Sequence, residues 1–214
     1  MGLLTESLFR LTLEELQRQT ILLATDRRLP SVATLVAGEP VRGSWWGHPS
    51  AQAIFQVLEQ LADHRGVAVT KLVSGKVTYV HRVLWSALIG VGSAREPWQL
   101  DGLTPAAGSL LGLIATDGSL WTDRLPPSSG IDPKAAGEAA RELERNLLIC
   151  SQQIHTSRGA HAKLLESWER WASRVGFVEE RLKPSEGRRK LEEALLNLNR
   201  RYGGRGRLPW QRPS

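Results

Sequence analysis

A single cysteine, Cys150, in 214 residues closes several routes at once. No intramolecular disulfide can form and no cysteine-based zinc site can be assembled, which fits a reducing compartment. No apolar run reaches the roughly 20 residues that span a bilayer, and the N-terminus lacks the charged-then-apolar design of a signal peptide. The sequence therefore predicts a soluble, cytoplasmic protein with no membrane partner. Several motifs are missing too. There is no Walker phosphate loop, dinucleotide fingerprint or nucleophile elbow, which argues against familiar nucleotide and serine hydrolysis. His155 and His161 have neither Cys nor paired carboxylates at ligand spacing, so no metal and no other cofactor is expected. No internal repeat is visible.

What is present suffices for a globular protein. Hydrophobic residues make up 41% of the chain, enough for one good-sized core or two small ones. The net charge of +6 is unevenly placed: residues 181–214 hold ten Lys or Arg against three Glu, whereas residues 1–180 hold 18 basic against 19 acidic residues. Such a basic tail raises affinity for any polyanion through counterion release, although a merely solubilising tail has the same composition.

The chain is organised around Ser44 to Trp85. Ser44-Trp45-Trp46-Gly47-His48-Pro49 leads into a helix whose Ile54, Phe55, Leu58, Leu61 and Ala62 form one apolar stripe. Gly66 stops it. Val67–Val73 and Lys76–Arg82 alternate as strands about a Ser74-Gly75 turn, in a register that sets Ala68 opposite His81, Val69 opposite Val80, Thr70 opposite Tyr79 and Lys71 opposite Thr78. A helix followed by a two-stranded wing suits DNA, the helix for a groove and the wing tip for backbone. It is also a common packing unit.

Elsewhere, Thr12-Leu13-Glu14-Glu15 reads as a capping box opening a helix through Leu13, Leu16, Thr20 and Leu23. Short helices are expected at 32–37, 84–91 and 105–116. Pro126 to Gly130 is the expected boundary, and Asp132-Pro133 starts a long helix. Residues 147–165 fit two arrangements, antiparallel helices joined by a His-containing turn or a β-hairpin. Ser185 to Tyr202 reads as an amphipathic helix, and Gly203 to Ser214 as too poor in apolar residues to order itself. The fold class is thus mainly α with a small β-hairpin (α+β), a winged-helix-like core (1–125), a helical hairpin (126–182) and a basic helix with a disordered tail (183–214).

His48 sits beside a helix N-terminus, where the dipole keeps imidazole neutral and able to relay a proton. Trp45 and Trp46 offer stacking surface for an unpaired or flipped base. Lys71 shares a strand face with Val67, Val69 and Val73: if that face is buried, a desolvated lysine is a candidate nucleophile or proton donor, and if the hairpin protrudes, Lys71 meets solvent or phosphate. Arg188, Arg189 and Lys190 crowd a helix start, where an anion would relieve their conflict with the dipole.

Ser44-Trp45-Trp46-Gly47-His48-Pro49, the run from Lys71 to Trp85, and His155-Thr156-Ser157-Arg158-Gly159-Ala160-His161 together resemble a family of small bacterial proteins. That family is related to the winged-helix DNA glycosylases of alkylation and crosslink repair. The resemblance implies hydrolysis of the N-glycosidic bond of a modified base in DNA, for repair or against phage, by an enzyme without cofactor. The resemblance covers mainly residues 30–92 and 143–172; for such chemistry the candidates are His48 as the catalytic group, Trp45, Trp46, His81 and His155 for the base, Lys71, Lys76, Arg82 and Arg158 for the phosphates, and Arg188, Arg189 and Lys190 as further backbone contacts. The glycosylases place water with a Gln-containing pair, for which Gln17-Arg18-Gln19 is the nearest match. A non-catalytic DNA-binding protein, such as a regulator, uses the same wing and tail.

Overall fold

A computed structural model describes residues 3–126, 130–155 and 161–211, with the side chains of 3, 153–155, 161 and 162 outside that description. In chain order the elements are α1 (Leu3–Gln19), β1 (Ile21–Leu23), α2 (Val32–Ala37), α3 (Ala51–Asp63), β2 (Val67–Val73), β3 (Lys76–His81), α4 (Trp85–Gly92), α5 (Pro97–Leu100), α6 (Pro105–Asp117), β4 (Ser119–Trp121), α7 (Pro133–Arg145), β5 (Cys150–His155), β6 (His161–Glu166), α8 (Trp168–Arg174) and α9 (Pro184–Tyr202). Helix dominates, and the strands form two small antiparallel sheets ordered β1-β3-β2 and β4-β6-β5. The fold class is therefore mainly α with α+β character. None of the described helices is long and apolar enough to cross a membrane.

Two compact units divide the chain, residues 1–85 with 188–214, and residues 86–187. The expected boundary in Pro126 to Gly130 thus falls inside the second unit, and Pro127 to Ser129 lie outside the described residues. The first unit closes over Leu16 of α1, Leu22 of β1, Val32 and Val36 of α2, Ile54, Val57 and Leu61 of α3, and Tyr79 of β3. Each fully buried leucine here contributes about 1.5–3 kcal/mol. The α1 start differs from the capping-box expectation. Thr12 is buried in mid-helix, its hydroxyl donating to the Leu8 carbonyl at 2.7 Å, because the apolar stripe already begins with Leu8 and Phe9. Helical spacing through Leu23 also fails: Thr20 turns left-handed (φ 64°) and Ile21 to Leu23 pair with β3.

The wing keeps its Ser74-Gly75 turn, both residues at positive φ, but not the expected register. Val67 faces His81, Ala68 faces Val80, Val69 faces Tyr79 and Thr70 faces Thr78, while Val73 still faces Lys76. A bulge between Thr70 and Val73 absorbs the one-residue shift, and the Thr78 hydroxyl accepts the Val73 N–H at 3.2 Å in place of a ladder bond.

The second unit packs α6 against α7 over Leu110, Ile114, Ala139, Leu143 and Leu165. Asp132 caps α7 by accepting from the amides of Lys134 and Ala135. The helix stops at Arg145, Leu147 turns left-handed, and β5 pairs with β6 from Cys150 opposite Glu166 to His155 opposite His161. Of the two arrangements open for 147–165, the strand hairpin forms and the helical one does not. Cys150 and Ile154 are four apart, an even number, and so share one strand face as readily as one helix face.

A repeat also emerges that the residues did not reveal. Both units run helix, strand, helix, strand, strand, with the third strand between the other two and a left-handed residue, Thr20 or Gly118, joining the first helix to the first strand. The first unit adds the short α2 and most of α9, and the second adds α4 and α5 before this run and α8 after it.

Candidate anion-binding cleft

The C-terminal segment is where expectation and structure differ most. Gly203 to Gln211 does not trail free but runs as a strap across the first unit, with Leu208 fully buried. Asn199 on α9 holds it by accepting the Gly206 N–H (2.8 Å) and donating to the Gly206 carbonyl (2.9 Å). Arg207 then exchanges two bonds with the wing turn: Ser74 N–H donates to its carbonyl (2.7 Å) and its N–H to the Ser74 hydroxyl (3.2 Å). The close approach demands glycine. A Cβ on Gly204 would lie 2.3 Å from Leu29 Cδ2, and one on Gly206 within 3.0 Å of Leu29, Val73 and Leu195. In this extended segment side chains alternate, so the glycines face the core and Arg205 and Arg207 face out.

Beside the strap lies a cleft of about 390 Å³, lined by Thr25 to Leu29, Val41, Gly43, Ser74, Lys76, Arg205 and Gly206. Four chain segments meet there: the β1–α2 loop, the α2–α3 loop with Val41 and Gly43, the wing tip and the strap. Arg27, Arg28, Lys76 and Arg205 are all exposed. Asp26 is the one carboxylate in the lining, and it is spent within the fold. Its Oδ1 accepts the amides of Arg28 (2.9 Å) and Leu29 (2.8 Å), and its Oδ2 accepts Lys76 Nζ at 2.7 Å. Burial pushes its pKa up, but these hydrogen bonds outweigh burial and hold the carboxyl below its usual range. Arg28 donates to the Gly203 carbonyl at 3.3 Å. Among the described residues neither Arg27 nor Arg205 has an acidic partner. The unit as a whole carries 17 basic and 9 acidic residues, against 11 and 13 in the other.

Of the residues expected at a site, Lys76 alone lines this cleft. Trp45 and Trp46 form a one-turn 3-10 helix, and their indoles stack on each other, centroids 4.0 Å apart at 24°. No slot for a base opens between them. Trp45 packs toward the core, while Trp46 stays 65% exposed with Phe55 at 5.7 Å. His48 has both ring nitrogens engaged: Nδ1 accepts the Ser50 N–H at 3.1 Å, and Nε2 stands 3.5 Å from Glu39 Oε1. It serves as a cap for the start of α3. His81 ends β3 half-buried, its pKa lowered by burial and then by the charges of Arg82 and His64, so its ring is neutral at neutral pH.

Lys71 is half-buried at the bulge and Arg82 is exposed in the 3-10 turn after β3, neither at the cleft. On α9, Arg189 pairs with Glu193 at 3.4 Å, and Arg188 and Lys190 are half-buried. His155 is placed only by its backbone pairing with His161, and Arg158 lies outside the described residues. Gln19 is buried and donates to Glu15 (2.7 Å) and to the Tyr202 hydroxyl (2.8 Å), so its amide hydrogens are engaged within the fold.

The residues missed were Arg27, Arg28 and Arg205. The signals for them were Asp26-Arg27-Arg28, an acid able to fold back on its own loop, and Gly203-Gly204-Arg205-Gly206-Arg207, small residues alternating with cations. Comparison with protein-family models, curated proteins and solved structures finds no match to this chain.

Proposed function

We propose that this is a DNA-binding protein whose first unit, winged-helix-like in its order of elements, holds the nucleic-acid backbone at the wing tip. The cleft carries this reading: four cations from three segments line it, and its one carboxylate is already committed to Lys76 and to two amides. Phosphates are the natural counter-charge for such a site. Binding to a mixed-sequence oligonucleotide, followed by fluorescence anisotropy across a salt series, tests it. Loss of each phosphate contact, as in Arg27→Ala or Arg205→Ala, lowers the salt slope by roughly 0.7–0.9. A slope that neither substitution moves removes the cleft from the interface.

Base excision is the second reading, favoured by the exposed indole of Trp46, which suits an unpaired base. It requires His48 to release one of its two partners before it can move a proton. Alkali-labile breaks in DNA carrying modified bases, lost in His48→Ala, would support excision. Binding without breaks leaves a non-catalytic DNA-binding protein.

A further inference from the structure

We infer that the cleft takes the phosphorylated end of an unpaired strand, a terminal phosphomonoester, rather than the continuous backbone of a duplex; this rests on the nucleic-acid reading above. Four observations converge. The first is shape. The cations gather on the lining of one open concavity of about 390 Å³, and a concavity admits a group that ends a chain more readily than one flanked by neighbours on both sides.

The second is charge. With Asp26 matched to Lys76, Arg27, Arg28 and Arg205 leave three positive charges. An internal phosphodiester brings one negative charge, whereas a phosphomonoester brings about 1.5 to 2 at neutral pH and three acceptor oxygens. Arginine forks suit those oxygens.

The third is the helix that would otherwise enter a groove. The only charged residues of α3 are Glu59 and Asp63, which face an oncoming polyanion unfavourably. The fourth is Trp46, whose exposed indole offers a stacking surface that paired bases cannot use. It follows Gly43 of the cleft wall by three residues, so the two Cα atoms lie within about 11 Å of each other. A strand end with its phosphate in the cleft thus has an aromatic platform within reach of its first bases.

The test uses the full chain and one oligonucleotide sequence in three forms: single-stranded with both ends phosphorylated, the same strand after phosphatase treatment, and a closed dumbbell duplex with no ends. Anisotropy should show the phosphorylated strand bound at least tenfold more tightly than either of the others. Arg205→Ala, on the exposed face of the strap, should erase that preference while leaving the thermal transition in place. Trp46→Ala should weaken the single strand at least about fivefold. Inorganic phosphate and a free mononucleotide should compete at least a hundredfold less well than the strand.

Equal affinity for phosphorylated and dephosphorylated strands overturns the inference, as does a dumbbell bound as tightly or a preference that survives in Arg205→Ala. In those cases the DNA-binding reading stands. Mononucleotide competing as well as the strand also overturns the inference, and replaces a strand end with a small phosphate ligand. Failure of all three nucleic acids to bind at low salt overturns both.

Discussion

Substituting Gly206 by alanine asks whether the strap is a packed part of the fold. The new Cβ would stand 2.9 Å from Leu29 Cδ1, 2.9 Å from Val73 Cγ1 and 3.0 Å from Leu195 Cδ1. All three side chains are buried, and Val73 is β-branched and held in a strand, so the methyl cannot be accommodated by rotating one free side chain. Two responses compete. Overpacking a core in this way costs about 1–3 kcal/mol. Peeling the strap away exposes Leu208, at about 1.5–3 kcal/mol. It also breaks the bonds of Gly204, Gly206 and Arg207 to Asn199 and Ser74, each worth about 0.5–1.5 kcal/mol. The five together with Leu208 come to about 4–10 kcal/mol. Overpacking is the cheaper response, so the strap stays and the core yields. At roughly 4 °C per kcal/mol for a unit of this size, the first unit's transition in differential scanning calorimetry should fall by about 4–12 °C. Nucleic-acid affinity should change by less than about threefold, since Arg205 keeps its place. Gly137→Ala is the control. It sits in the interior of α7 with open space around it, and should raise stability by about 0.5–1 kcal/mol. A Gly206→Ala transition that stays within about 1 °C of the parent, or rises as the control does, would show that the strap is not packed in solution.

Asp26→Asn keeps an oxygen for the Arg28 and Leu29 amides but releases Lys76, so nucleic acid should bind more tightly with a salt slope steeper by about 0.9; weaker binding in the anisotropy titration would contradict the cleft. The pair is partly exposed on its lysine side, so stability should change by no more than about 1 kcal/mol. In the second unit, Arg174→Met strips three charge-assisted hydrogen bonds from Glu166, whose carboxylate is buried. Chemical denaturation should show a loss of about 2–4 kcal/mol, discounted from the fully buried case because the arginine is itself part-exposed. His81 titrates below its ordinary value in the fold, so the unfolded chain takes up its proton first as pH falls. Its contribution is complete above about pH 6.5 and declines below that toward the lowered folded value. Unfolding free energies between pH 7 and 5 should therefore slope less in His81→Phe, and an unchanged slope would assign the pH dependence to other groups.

How far the residues announce this structure depends on whether the deciding interaction is local. Pro105, the Asp132-Pro133 start of α7, the Ser74-Gly75 turn and the last amphipathic helix all carry their own signals, and each element forms close to where expected. The wing register does not, because the bulge depends on the Thr78 hydroxyl taking the place of a backbone acceptor. Residues 147–155 mislead because a four-residue spacing satisfies both periods. The strap misleads for a different reason: low apolar content predicts disorder only when a segment must order itself. Here Asn199, Ser74 and a groove over Leu29 do the ordering, and glycine composition is what admits the close approach. The same gap hid the candidate site. Arg27, Lys76 and Arg205 lie far apart in sequence and meet only through the β1–β3 pairing and the strap.

The two units also show how one architecture can be put to different electrostatic use. In the second unit two acids are buried and matched: Glu166 takes Arg174, and Glu144 takes Lys163 at 2.6 Å and the Ser151 hydroxyl. Charges matched in this way offer a solute little field, because each is neutralised within hydrogen-bond distance. In the first unit the strap and the β1–α2 loop turn Arg205, Arg207, Arg27 and Arg28 outward, and the nearest acid is taken by Lys76. A shared order of helices and strands therefore does not imply a shared ligand. The difference lies in where the cations end, and on that ground the polyanion affinity we propose is assigned to the unit carrying 17 basic residues against 9 acidic ones.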